Sequence, residues 1–228
     1  MTGALSFLDR VLAVPGVEAG FVQRIPGVPL TADKWSTLTF LESAHRNAVA
    51  HLGFEWEDLW RAEQVHGDAV ALVPMERVEN RVVAGADGLL TSGRKGVLLG
   101  IYVADCAAVY LCDRRTGGLA LVHSGRKGTE QAVVVRALEQ MAVEFGSQAG
   151  DIEAAISPCI RPPRYEVDFA LQIAGQLREA GVPPEQVVMS GVCTGENVEK
   201  FYSYRVERGK TGRMLALLGR RMENEERS

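Results

Sequence analysis

The sequence predicts an α/β fold (mixed α+β): a single domain over residues 1–228, with a mixed β-sheet packed with helices. Three observations predict it. Short apolar runs rich in branched residues are interspersed with segments whose apolar residues recur at helical spacing. No internal repeat, low-complexity linker or break in composition divides the chain. The length of 228 residues, 46% of them hydrophobic, suffices for one substantial core.

The elements follow in chain order. Residues 35–52, WSTLTFLESAHRNAVAHL, are expected to form a helix closed by Gly53. Leu59 to Gln64 and Ala69 to Val73 read as strands on either side of a turn at His66-Gly67-Asp68. Ala86 to Thr91 follows. The run Val97 to Val103 is too short for a typical helix and reads as a buried strand ending at Ala104-Asp105-Cys106.

Val109 to Cys112 and Leu119 to His123 read as a strand pair turned at residues 113–118. A helix is expected from near Thr129, because Val134, Leu138, Met141 and Phe145 lie on one helical face. Ile152 to Ile156 is another strand, stopped by Pro158. Val167, Ala170, Ala174 and Leu177 mark an amphipathic helix closed at Gly181, and a last helix is expected over Thr211 to Asn224.

Charge and cysteine usage narrow the classes of function. The formal net charge is −4 and no long basic run is present. Nucleic acid and anionic membrane surfaces call for clustered Lys and Arg, so neither is expected as the main partner. No apolar run approaches the length of a membrane span, and the N-terminus lacks the pattern of a signal peptide. A cytoplasmic location is expected. The four cysteines, Cys106, Cys112, Cys159 and Cys193, form no CxxC and no compact disulfide pattern, so reduced thiols are expected.

Two segments place metal-capable side chains where strands end. Cys106 follows an apolar strand in VADC, and His123 closes one in LALVHSGRKGT. Strand ends that feed loops are where α/β proteins concentrate chemistry. His66 in EQVHGD sits at a third strand–turn junction. Two imidazoles and a thiolate form a catalytic zinc set that leaves a fourth position for water. On residue chemistry alone the alternative stands beside it: a buried thiol that acts as a small hydrophobe and two satisfied histidines.

The turn Ser124-Gly125-Arg126-Lys127-Gly128-Thr129 is a second candidate. Glycine-bracketed backbone entering a helix favours an anion, and Arg126 and Lys127 add positive charge. It does not match the P-loop pattern, so a nucleoside triphosphate is not implied. A tight turn with solvated basic side chains explains the same residues.

An ordered set of motifs resembles the YfiH-like laccase-domain family, long labelled multicopper polyphenol oxidases and now understood as purine nucleoside enzymes. The motifs are QVHGD at 64–68, ADGLLT at 86–91, ADC at 104–106 and HSGRKGT at 123–129. ISPCI at 156–160, YEVD at 165–168, CT at 193–194 and FYSYR at 201–205 follow in the family's order. The resemblance implies one zinc on His66, Cys106 and His123, with copper disfavoured: a multicopper cluster needs more histidines than the four present.

The resemblance also implies phosphorolysis of adenosine, inosine, guanosine and methylthioadenosine, and deamination of adenosine. The small-molecule partners are then a nucleoside and phosphate. Asp105 is a candidate proton shuttle or, equally, a turn cap beside a ligand. Arg46 resembles the family's arginine in its region and is a candidate for binding phosphate, a role shared with Arg126, Lys127 and the Gly128 backbone, or a plain helix-surface residue. Tyr165 is expected to border the base or, with Asp168, to fix a helix start. Phe201, Tyr202 and Tyr204 alternate as a strand does, with core packing the default.

The chain departs from the family's pattern at several positions. Arg126 and Lys127 stand where the family usually has tryptophan then arginine, Ser124 where it has alanine, and Ser157-Pro158 where it has Gly-Pro. The N-terminal His-Val-Gly-Asp motif is missing. These changes leave the zinc ligands intact and alter the expected substrate pocket. A peptidoglycan-precursor editing hydrolase and a zinc-stabilised binding protein with weak catalysis are the alternative functions.

Overall fold

The computed structural model describes residues 6–74 and 81–221. In chain order it contains α1 (Asp9–Leu12), β1 (Val17–Val22), α2 (Lys34–His51), β2 (Leu59–Ala62), β3 (Val70–Leu72), β4 (Val82–Val83), β5 (Gly88–Thr91), β6 (Val97–Val103), β7 (Ala107–Asp113) and β8 (Leu119–Ser124). These are followed by α3 (Arg126–Glu130), α4 (Val133–Phe145), β9 (Ile152–Ile156), α5 (Phe169–Glu179), β10 (Val187–Met189) and β11 (Met214–Arg220).

The strands form two mixed sheets. One has the order β1-β11-β6-β2-β4 and the other β10-β9-β7-β8-β5-β3. Period-two alternation shows how they stack. Along β7, Ala108, Tyr110 and Cys112 belong to the core between the sheets, whereas Ala107, Val109 and Leu111 belong to the core beneath α4 and α5. In β8, Leu119 and Leu121 face the first core while Ala120 and Val122 face the second. The central strands of the six-stranded sheet are therefore buried on both faces, which explains their continuous apolar runs. Helix α2 covers the other sheet, with His45 stacked against Tyr102 of β6 at 5.5 Å.

Most expected elements form close to their expected bounds. Asp33 caps α2 by accepting from the Ser36 N–H, and β6 spans the expected residues. The helix expected from near Thr129 is two pieces, α3 and α4, parted at Ala132 in the left-handed region (φ 56°).

Two expectations are corrected. Thr211 to Asn224 is not a helix: residues 214–220 form β11, and 222–224 lie outside the described residues. Met, Leu and Ala favour helix locally, but this segment fills the slot between β1 and β6, pairing antiparallel with both. All of Met214–Gly219 is buried there, and tertiary packing overrides the local preference. A Cβ at Gly219 would lie 2.4 Å from the Val97 carbonyl oxygen, so only glycine lets the strands approach at that point. The second correction concerns residues 201–204, which are not a strand. Phe201 and Tyr202 are buried, Tyr202 bonding the Ile25 backbone through its hydroxyl, whereas Tyr204 is exposed.

Candidate metal centre

Sheet register brings the three expected ligands together. Gly88 pairs with Val122 and the His123 N–H donates to the Asp87 carbonyl at 2.7 Å, so Asp87 lies alongside His123. Ala107 pairs with Ser124, which sets Cys106 opposite Gly125. A Cβ on Gly125 would lie 2.6 Å from the Cys106 sulfur, so the thiol occupies space that any other residue would fill.

The third expected ligand, His66, comes from the turn after β2. Gln64 and His66 both take positive φ (65° and 62°), an arrangement unusual for side-chain-bearing residues. The turn is held by one carboxylate: Asp87 accepts the backbone N–H groups of Val65 (3.2 Å), His66 (2.9 Å) and Gly67 (2.7 Å). Gln64 locks its other side through its amide, accepting from the Tyr102 N–H and donating to the Tyr102 carbonyl.

The donor atoms of His66, Cys106 and His123 all lie within 4.8 Å of one another. The imidazoles of His66 and His123 meet edge to face, 4.9 Å apart and at 88°. His123 Nδ1 is bonded to the Asp87 carboxylate at 2.8 Å, which leaves Nε2 to face the thiol. Burial pushes the Cys106 thiol up, but His123 and His66 beside it outweigh that and lower it to about 6. Burial pulls His123 down, and the Cys106 thiolate with Asp87 raises it to about 9. A soft thiolate, two imidazoles and a carboxylate orienting one of them suit a transition metal such as zinc. Among the described residues this is the one such cluster.

The cluster opens into a cavity of about 590 Å³, within the usual range for small-molecule sites. Tyr102, Ile160, Tyr165, Phe169 and Tyr204 give it apolar and aromatic walls, and Lys34, Arg126, Arg205, Arg208 and Arg213 line it with positive charge. Tyr165 and Phe169 meet edge to face at 6.0 Å, and the Arg205 guanidinium lies 5.3 Å from the Tyr165 ring.

Several expected site residues reach this cavity and others do not. Asp105, also at positive φ (80°), lines it, but both carboxylate oxygens are engaged. One accepts the Thr194 hydroxyl and the other the Arg205 N–H, each at 2.7 Å. Tyr165 and Arg126 line it too, although Arg126 is paired with Glu130 and Glu166.

Arg46 is not among the lining residues: it points outward from α2, pairs with Glu42 and lies 4.7 Å from the Trp56 ring. Lys127 is exposed on α3 and does not line the cavity. Gly128 is buried against the Gly67 carbonyl and does not line it either. Asp168 caps α5 and pairs with Arg161 at 2.6 Å.

The sequence reading missed Asp87, Gln64, Lys34 and Arg213 as site residues. Asp87 carried a signal, as the acidic residue of ADGLLT ahead of a strand. Arg213 was hidden by the helix expected over its segment. Its neighbour Met214 pairs with Val103, so β11 delivers the guanidinium beside residues 104–106. The four cysteines are free thiols, and no helix among the described residues is long and apolar enough to cross a membrane.

The model of the multi-copper polyphenol oxidoreductase laccase family matches residues 39–174 and 167–221. A protein of Geobacillus stearothermophilus named purine nucleoside phosphorylase YlmD is 31% identical over 214 residues, covering 78% of each chain. One of Deinococcus radiodurans named purine nucleoside phosphorylase is 34% identical, covering 91% of this chain and 90% of its own length. The crystal structure of YlmD from Geobacillus stearothermophilus superposes with a TM-score of 0.81 at 27% identity, covering 92% of this chain and 93% of that one.

Proposed function

This chain belongs to the multi-copper polyphenol oxidoreductase laccase (YfiH-like) family, and from that premise we propose that it is a zinc enzyme of purine nucleosides. It cleaves adenosine, inosine, guanosine or methylthioadenosine by phosphorolysis and deaminates adenosine in the same cavity. The observation that carries the reading is the convergence of His66, Cys106 and His123 at the wall of a cavity lined by both aromatic rings and cations. The names of the relatives, purine nucleoside phosphorylases, support the substrate class.

The roles follow from the chemistry of the lining. Zinc on the three ligands supplies Lewis acidity at the cavity wall. Tyr165, Phe169 and Tyr204 offer flat apolar surface to a purine, and Arg205 over Tyr165 extends that wall with a polar edge. Asp105 is a positioning residue in this reading: its bonds to Thr194 and to the Arg205 backbone tie the ligand-bearing loop to the opposite wall. Asp87 holds His123 in the tautomer that presents Nε2 and fixes the turn that carries His66. A multicopper oxidase cluster is disfavoured by the histidine count of four. His45 is stacked on Tyr102 and His51 ends α2, so two histidines remain for metal.

The test is incubation of the purified zinc-loaded protein with adenosine, with and without phosphate. Adenine and ribose 1-phosphate that form only with phosphate mark phosphorolysis, and inosine marks deamination. A protein carrying one zinc per chain that turns over no purine nucleoside sinks the reading, as does one carrying several coppers and oxidising phenols.

A further inference from the structure

Three cations on the cavity wall, Lys34, Arg208 and Arg213, form no ion pair with a carboxylate among the described residues, and of these Lys34 and Arg213 act on each other. Arg126 and Arg205 line the same cavity, but Glu130 and Glu166 neutralise them. Lys34, at the first turn of α2, packs its ammonium 5.1 Å from the Trp35 ring, and no ion pair with a described residue holds it. Arg213 is partly buried just before β11, its Nη1 donating to the carbonyls of Gly212 (2.8 Å) and Thr211 (3.4 Å). Tyr204 lies 5.9 Å beneath its guanidinium. Those contacts fix the guanidinium plane, and no bond to a described residue engages Nε or Nη2, which can form a fork.

The two charges sense each other. Burial, and then the charge of Arg213, lower the Lys34 ammonium below its ordinary value. Burial lowers Arg213 as well, while Cys106 and Asp105 act on it in the opposite sense, which places it within electrostatic reach of the metal ligand. Like charges held together on a partly desolvated wall oppose folding unless an anion joins them. The forked geometry of an arginine with a nearby ammonium suits a tetrahedral dianion.

We propose that Lys34 and Arg213 form the site for inorganic phosphate at the cavity wall beside His66, Cys106 and His123. The assignment rests on the phosphorolysis reading for its role, and it moves the anion away from the turn at Arg126-Lys127. There the arginine is already paired and the lysine faces solvent.

The experiment uses the full-length zinc-loaded protein with two readouts. One is the rise in Tm on adding millimolar inorganic phosphate, which needs no turnover. The other is the pair of KM values for phosphate and adenosine. Wild type is expected to be stabilised by phosphate. Lys34→Met and Arg213→Met should each lose most of that stabilisation and raise the phosphate KM by about 10- to 100-fold, the size of a lost charge-assisted hydrogen bond. The adenosine KM should move by less than about threefold, well short of that loss. Arg213→Lys should recover part of the affinity, and Arg126→Met should change it little.

A wild-type Tm that ignores phosphate overturns the site. So does a phosphate KM that is unchanged in Lys34→Met, the half-buried position whose variant needs no core repacking. Stabilisation by adenosine 5′-monophosphate but not by inorganic phosphate also overturns it, since the anion would then arrive on the substrate. Should wild type turn over no nucleoside, the Tm arm still decides the site, and only the functional reading falls.

Discussion

The Asp87 carboxylate accepts from Nδ1 of His123 at 2.8 Å while holding the backbone N–H groups of Val65, His66 and Gly67. One buried side chain thus orients two of the three candidate ligands. Asp87→Asn keeps the shape but loses the charge and places an NH₂ group against donors. Metal affinity is expected to fall by about 10- to 100-fold, the usual effect of removing a partner that orients a ligand. Competition with a chromophoric zinc chelator measures it, and an unchanged affinity would show that Asp87 does not orient the ligands.

How much of this was legible in the sequence depends on how local the cause is. Strands β6 and β8 were readable because their apolar runs are continuous, and β9, interrupted by Glu153, because Pro158 stops it. β11 was not, since the reason it is a strand is the slot between β1 and β6, set by residues about a hundred or more positions away. The same error concealed Arg213. Arg46 illustrates register: one step along a helix rotates a side chain by about 100°, so α2 buries His45 against Tyr102 and turns Arg46 to solvent. His66, Cys106 and His123 were separable from ordinary buried residues only as members of an ordered motif set. Sheet register brings Cys106 and His123 together and the turn held by Asp87 adds His66, neither of which their spacing encodes.

Metal binding should release protons in a pH-dependent way. With the Cys106 thiol lowered to about 6 and His123 raised to about 9, the metal-free site between those values holds a thiolate beside an imidazolium. The metal needs the thiolate and a neutral imidazole, so one proton must leave His123. Affinity is expected to rise about tenfold per pH unit through that window and level off above it. Below pH 6 the thiol must also ionise and the dependence steepens. Titrating zinc into weakly buffered protein at pH 7.5 should release about one proton from this pair. Release of none contradicts the pairing.

His45 gives the fold an acid limit. Its Nε2 is buried without a hydrogen-bond partner among the described residues, and burial lowers the imidazole to about 4. The unfolded chain binds this proton near pH 6.5 and the folded chain only near 4, so the unfolded state holds more protons between those values. Stability should therefore be full above 6.5 and decline as pH falls toward 4, by roughly 3 kcal/mol in all. His45→Phe keeps a ring against Tyr102 and removes the titration. Urea unfolding at pH 7 and pH 4.5 should show a smaller loss for the variant, and equal losses would locate the acid sensitivity elsewhere.

Gly125 tests whether the metal centre depends on close packing of the backbone against the thiol. Its φ of −98° is ordinary, so alanine brings no backbone strain there. The added methyl would nevertheless lie 2.6 Å from the Cys106 sulfur, and β7 and β8 are too tightly paired to part. The thiol must therefore turn away from His66 and His123, its neighbours in the cluster. Gly125→Ala is expected to cost about 1–3 kcal/mol of stability through overpacking and to abolish stoichiometric metal binding in a protein that still folds. Gly150→Ala, where a Cβ meets nothing within 4 Å, is the control and should retain both. Circular dichroism with elemental analysis of both variants reads the two effects separately. Full zinc occupancy in Gly125→Ala would mean that the thiol has room to move and that the cluster is looser than its packing implies.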